Sequence, residues 1–144
     1  MPDVFAQMTD VFAQISPEPL DQALAERFVT TSENGALVTF QGIVRDHDDG
    51  RSVTALDYQA HPDAERFLLE CCTQIAADTG LRVAAMHRVG PLAIGDVALI
   101  ASVAAAHRAE AFAACAELVE RIKAQVPIWK RQHFTDGKSE WVAL

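Results

Sequence analysis

Leu81-Arg-Val-Ala-Ala-Met-His-Arg-Val-Gly-Pro-Leu-Ala-Ile-Gly-Asp-Val-Ala-Leu-Ile-Ala-Ser-Val-Ala104 holds two apolar runs divided by two glycine turns. Leu81 to Val89 and Val97 to Ala104 each have strand length, and Gly90-Pro91 and Gly95-Asp96 punctuate them, so the stretch reads as a hairpin. Upstream, His61-Pro62 opens a helix in which Phe67 or Leu68, Cys71, Ile75 and Thr79 share a face, and Gly80 is its C-terminal cap. Before it, Ala36 to Val44 and Ser52 to Ala60 read as a second hairpin around the polar tip Arg45-Asp-His-Asp-Asp-Gly-Arg51, with Gly42 marking a bulge or a close backbone approach. The tip is not a calcium loop: counted from Asp46, the sixth residue is Arg51 rather than glycine and the twelfth is Asp57 rather than glutamate.

Further out, Val11 to Ile15 makes a first strand and Ser16-Pro-Glu-Pro turns the chain. Leu20, Leu24 and Phe28 then mark a short helix that ends near Thr31, with Asp21 at its start. Downstream, Phe112, Cys115, Val119, Ile122 and Val126 form one helical stripe, and Glu117 to Arg121 and Glu120 to Lys123 are expected as supporting pairs. Pro127 stops this helix. A tail follows, with Asp136-Gly137 as its turn and Trp141-Val142 as an apolar anchor. The order strand, helix, hairpin, helix, hairpin, helix, tail favours an α+β domain with a mixed, mostly antiparallel sheet under covering helices. Residues 1–144 are expected to form that single domain, with 1–10 a loose N-terminal extension that holds part of a near-duplication, Asp3 to Gln7 and Asp10 to Gln14.

A chain of 144 residues with 50% apolar and 22% charged residues can bury a core without staples. No apolar run approaches the 18 or so residues of a membrane span and no export signal opens the chain, which predicts a cytoplasmic protein. The three cysteines lack Cys-x-x-Cys spacing and are expected as reduced core thiols. The net charge of −8 argues against general nucleic-acid binding. Charge is nonetheless uneven: residues 1–35 carry −5, whereas residues 121–138 carry +4 and hold all three lysines. A local cationic site on an acidic body suits a small anionic ligand or an acidic peptide tail.

Candidate chemistry gathers on a few residues. His107-Arg108 puts cations at a helix N-terminus, against the helix dipole but well placed for an anion. Lys123 lies in the last turn of that helix, where interaction with the helix C-terminus is the plainer explanation. Lys130 follows Trp129 beside Val126-Pro-Ile128; partial desolvation there would lower its pKa and equip it as acid, base or nucleophile, the competing reading being a surface lysine whose stem covers apolar area. Arg45 ends the Gly42 strand and can hold phosphate or carboxylate, although Asp46 offers an ordinary partner. His47, His61 and His133 lack the spacing of a metal site, and His87-Arg88 reads as a structural pair within a strand.

Together these stretches resemble the large, catalytic subunit family of molybdopterin synthase. The resemblance rests on Gly35-Ala-Leu-Val-Thr-Phe-Gln-Gly-Ile-Val-Arg45, His87-Arg-Val-Gly-Pro-Leu-Ala-Ile-Gly-Asp96, Ala106-His-Arg-Ala-Glu-Ala-Phe112, Lys123-Ala-Gln-Val-Pro-Ile-Trp-Lys-Arg131 and Trp141-Val142, in order over about residues 11–142. It implies a dimeric, hammerhead-like α+β fold and a heterotetramer with a small ubiquitin-like sulfur-carrier subunit. The carrier's C-terminal Gly-Gly thiocarboxylate would deliver sulfur to cyclic pyranopterin monophosphate and build the molybdopterin dithiolene. It also implies Lys130 and Lys123 as the catalytic pair, and Arg45, His107, Arg108, Arg131 and Gln132 as substrate-binding residues. Ile43 and Val44 would contribute backbone, and His107 and Arg108 would act across the dimer interface. No metal or organic cofactor is implied. Where the family commonly carries a glutamate, this chain has Gln132, which can hydrogen-bond but carries no charge. The alternatives from other classes are a non-catalytic dimeric module that docks an acidic tail, and a different phosphate-ligand enzyme with Lys130 as a Schiff-base amine.

Overall fold

Residues 10–144 are described by a computed structural model. The elements run β1 (Val11–Ser16), α1 (Gln22–Val29), β2 (Ala36–Ile43), β3 (His47–Asp48), β4 (Arg51–Ala60), α2 (Ala64–Thr79), β5 (Arg82–Arg88), β6 (Gly90–Ala93), β7 (Val97–Ala105), α3 (Arg108–Gln125), β8 (Ile128–Phe134) and β9 (Ser139–Ala143). The strands make two sheets. One has the order β1-β5-β7-β2; the other has the order β3-β4-β8-β9, with β6 also on β4. β1 lies parallel to β5 and every other described pairing is antiparallel, so the α+β class and the mostly antiparallel pairing are as expected, but the strands divide into two sheets rather than one, a mixed first sheet and a wholly antiparallel second.

The hairpin at residues 81–104 forms, pairing Arg82 with Ala104 through His87 with Leu99. Its connection is itself a strand, β6, which leaves the first sheet to pair with β4. The second expected hairpin does not form. β2 pairs with β7, and β4 with β6 and β8; across the polar tip the short β3 sets His47 opposite Ser52 and Asp48 opposite Arg51, and Val53 N donates to Asp46 O. The break comes at Gly42, where the register against β7 shifts and a β-carbon would stand 3.3 Å from that of Leu99. Val44 then exchanges hydrogen bonds with the hairpin turn, donating to Asp96 O and accepting from Gly95 N. The chain is thereby steered from the first sheet into the second.

α2 buries Ala64, Leu68, Cys71, Cys72 and Ile75, but Thr79 is exposed and returns its hydroxyl to the Ile75 carbonyl at 2.6 Å. Gly80 caps the helix at φ 74°, a left-handed conformation that costs glycine little. α3 turns Ala111, Ala114, Cys115, Leu118, Val119 and Ile122 inward, while Phe112, expected in that stripe, is 59% exposed. The small side chains of Ala111 and Ala114 carry the contact instead, leaving Phe112 on the rim of a groove with Val38, Phe40 and Val119. Arg121 binds Glu117 at 2.9 Å and Asp78 of α2 at 3.1 Å. The anticipated Glu120 to Lys123 pair is absent from the ion pairs of the described residues.

The tail is not an anchored coil but a hairpin of β8 and β9, turning at Asp136-Gly137. Trp141 is 49% exposed rather than an anchor; its neighbour Val142 is half-buried. The main core spans both sheets and includes Leu56, Leu68, Val83, Leu118 and Ile128, and a smaller cluster under α1 holds Ala25, Val29, Met86 and Ile100. Cys71, Cys72 and Cys115 are buried free thiols. Residues 1–9, and with them the first half of the near-duplication, lie outside the described residues.

Candidate active site

Successive residues of a strand point to opposite faces, so Ile128, Lys130, Gln132 and Phe134 of β8 share one side, while Trp129, Arg131 and His133 share the other. Three of the first four are buried and Lys130 is half-buried; the second set is exposed or only half-buried. Lys130 stands opposite Tyr58 of β4 and Val142 of β9. Burial holds its ammonium below the ordinary lysine range. The carboxylate of Asp48 opposes that shift, while the like charges of Lys123 and Arg45 reinforce it. The end of α3, the segment after β2, the β3 tip and β8 thus bring charges onto one amine.

Asp48 is fixed from two directions. The Gln132 amide donates to one carboxylate oxygen at 2.8 Å, and the Arg45 guanidinium donates to the other at 3.1 Å. The Gln132 hydrogen bond is the main cause of a carboxyl pKa below the usual aspartate value; partial burial opposes it, and Lys130 and Arg45 add to it.

Behind these charges lies an aromatic pair. His87 is 1% exposed, and its Nδ1 sits 2.7 Å from the Arg88 carbonyl, which can only accept, so Nδ1 carries the proton. Burial pushes the His87 pKa down to about 4 against the effect of that hydrogen bond, and Lys123 lowers it further. The imidazole is therefore neutral at pH 7. Tyr58, whose hydroxyl pKa is raised by burial, meets His87 edge-on at 5.0 Å.

The other residues singled out in the sequence fall elsewhere. Ile43 is 54% exposed at the end of β2, and Val44 spends both backbone groups on the β6–β7 turn. His107 is the N-cap of α3 with no side-chain capping bond, and Arg108 begins the helix; both are exposed. At 1.5 Å per residue they lie about 23 Å along the helix from Lys123, so one chain does not bring them to the Lys130 cluster. Arg131 is on the opposite face of β8, donating to Ser139 Oγ at 3.0 Å and lying 5.9 Å from the Trp141 ring. Sequence reasoning passed over Asp48 and Tyr58. The only signal for Asp48 was its place in an acidic tip, and for Tyr58 its alternation in β4. His133 pairs with Asp57 at 2.6 Å and His47 with Asp46 at 2.9 Å, and no group of three metal-binding side chains occurs among the described residues.

A half-buried amine flanked by two cations can bind an anion, exchange a proton, or attack a carbonyl carbon. The family model described as MoaE protein matches residues 15–125. The chain is 40% identical to the molybdopterin synthase catalytic subunit of Nostoc sp., covering 92% of this chain and 79% of the relative. It is also 40% identical to molybdopterin synthase catalytic subunit 1 of Mycobacterium tuberculosis, covering 99% and 97%. Among solved structures, molybdopterin synthase from Staphylococcus aureus superposes with a TM-score of 0.86 at 34% identity, covering 92% of this chain and 97% of that one.

Proposed function

The chain belongs to the MoaE protein family, and we propose that it is the catalytic subunit of a molybdopterin synthase, a sulfurtransferase of molybdenum cofactor biosynthesis. Its substrate in this reading is cyclic pyranopterin monophosphate, and its sulfur donor is the C-terminal thiocarboxylate of a small ubiquitin-like carrier subunit. The observation that carries the reading is the half-buried Lys130 amine on the inward face of β8, whose ammonium the charges of Lys123 and Arg45 disfavour. Both reactants bring negative charge to one place, and a cationic cluster on an otherwise acidic protein meets that demand.

Lys130 acts on the pterin side chain, in proton transfer or as a transient covalent partner; desolvation favours its neutral, reactive form. Lys123 orients the thiocarboxylate and stabilises the negative charge that develops when water adds to the acyl carbon, leaving the carrier as a carboxylate and the sulfur on the pterin. Arg45 holds the phosphate. His107 and Arg108, remote within one chain, are available only to a site in a second copy, which agrees with a homodimer carrying one carrier subunit at each end. The chain acts as one domain, and the core shared by the two sheets supports this for residues 10–144. No helix among the described residues is long and apolar enough to cross a membrane, and water-borne reactants suit the cytoplasm.

The test is reconstitution from purified chain, thiocarboxylated carrier and cyclic pyranopterin monophosphate, with products followed by mass spectrometry. Dithiolene formation supports the synthase. Carrier binding without product would return the chain to a non-catalytic docking module.

A further inference from the structure

We propose that Asp48 is a positioning residue for this site: its carboxylate, carried in on the β3–β4 turn and held by the buried Gln132 amide, holds the Arg45 guanidinium and sets a negative charge facing Lys130. This rests on the sulfurtransferase reading for its catalytic consequence, but the geometry stands on the chain alone.

Three observations converge. The turn that presents Asp48 is tightly specified, because Asp48 pairs with Arg51 around Asp49 at φ 50° and Gly50 at φ 77°. Two consecutive left-handed residues with an Asp-Gly sequence are the signature of a two-residue hairpin whose twist matches its strands. Secondly, Gln132 is 3% exposed and donates to Asp48 across 84 positions of sequence. A buried amide is costly unless hydrogen-bonded, so this bond fastens the tip to β8. Thirdly, among the described residues Asp48 is the one carboxylate whose charge acts on Lys130. Arg45 from the segment after β2 and Lys123 from α3 are both cations, and Tyr58 of β4, opposite Lys130, is a neutral phenol. Without Asp48 the charges of Arg45, Lys123 and Lys130 would be left without a carboxylate among them, and Arg45 would lose its ion-pair partner. Gln132 and Asp48 thus divide one task, the strand supplying the amide and the turn supplying the charge.

The test trades the two groups across their hydrogen bond, using Asp48→Asn, Gln132→Glu and the double variant. Two properties are read in each: the rate of single-turnover sulfur transfer with thiocarboxylated carrier, and the pH midpoint of Lys130 acetylation, mapped by peptide mass spectrometry on the chain alone. Asp48→Asn should lower the acetylation midpoint, since a stabilising negative charge is lost, and slow transfer by about tenfold, equivalent to about 1.4 kcal/mol of barrier. Gln132→Glu, with two carboxylates in contact, should raise the midpoint. The double variant, with the carboxylate on the strand and the amide on the turn, should recover both midpoint and rate toward the wild type, an outcome that loss of fold would not give. A wild-type midpoint and rate in Asp48→Asn, or a double variant no better than Asp48→Asn, would overturn the proposal. If the wild-type chain transfers no sulfur, the functional reading fails while the acetylation midpoints still decide whether Asp48 sets the state of Lys130.

Discussion

The Tyr58 ring stands edge-on to the His87 imidazole, with centroids 5.0 Å apart and planes at 72°, which seals a neutral histidine beneath a cluster of charges. The His87 pKa is about 4 when folded against 6.5 when unfolded, so the unfolded chain binds the extra proton first. Stability from this group is therefore complete above pH 6.5 and lost as the pH falls toward 4, a contribution of about 3 kcal/mol. Urea unfolding at pH 7 and pH 4.5 should show that decline. His87→Gln should be less stable at pH 7 yet show a shallower pH dependence, and an unchanged slope in the variant would place the titration elsewhere.

Lys123 and Asp48 act on Lys130 with opposite sign. Lys123→Met should raise the pH midpoint of Lys130 acylation, because a like charge is removed, and should also slow sulfur transfer. A midpoint that moves down, or not at all, would mean that the two amines do not sense each other.

Gly35 lies so close to the start of α3 that a β-carbon there would be 2.8 Å from the Ala106 carbonyl oxygen. The neighbour is backbone and cannot rotate away, so Gly35→Ala must displace the residue just before His107-Arg108. Thermal unfolding should report a loss of roughly 1–3 kcal/mol. A fully stable variant would show that the helix start can move freely.

The three cysteines are buried, and burial raises each thiol pKa. Ellman's reagent should find no reactive thiol in the native protein and three after guanidinium unfolding. A thiol that reacts quickly under native conditions would contradict the packing of α2 and α3.

Local signals were legible where the physics is local. Gly80 ends α2 because only a left-handed residue closes that turn, Pro127 ends α3, and the Gly42 irregularity was readable from a glycine in an otherwise β-branched and apolar run. Strand partners were not legible, because β2 and β4 are separated only by the short β3 and its turns yet each is completed by residues far along the chain, β7 and β8. β8 escaped notice for a related reason. Its alternation puts Lys130 and Gln132 on the inward face, so the polar residues of the site mask the period that would have announced a strand. Lys123, Lys130 and Arg45 were found by charge and motif. Asp48 was not, since an aspartate in an acidic turn looks solvated until the tertiary fold delivers a buried amide to it.

The most direct test of the account is single-turnover sulfur transfer by Lys130→Ala, measured alongside its carrier affinity and melting temperature. The prediction is a fall of at least a hundredfold in dithiolene formation with carrier binding and fold retained, since a reactive amine is lost while its supporting strand keeps its neighbours. Transfer within a few-fold of the wild type would contradict it and remove Lys130 from the chemistry.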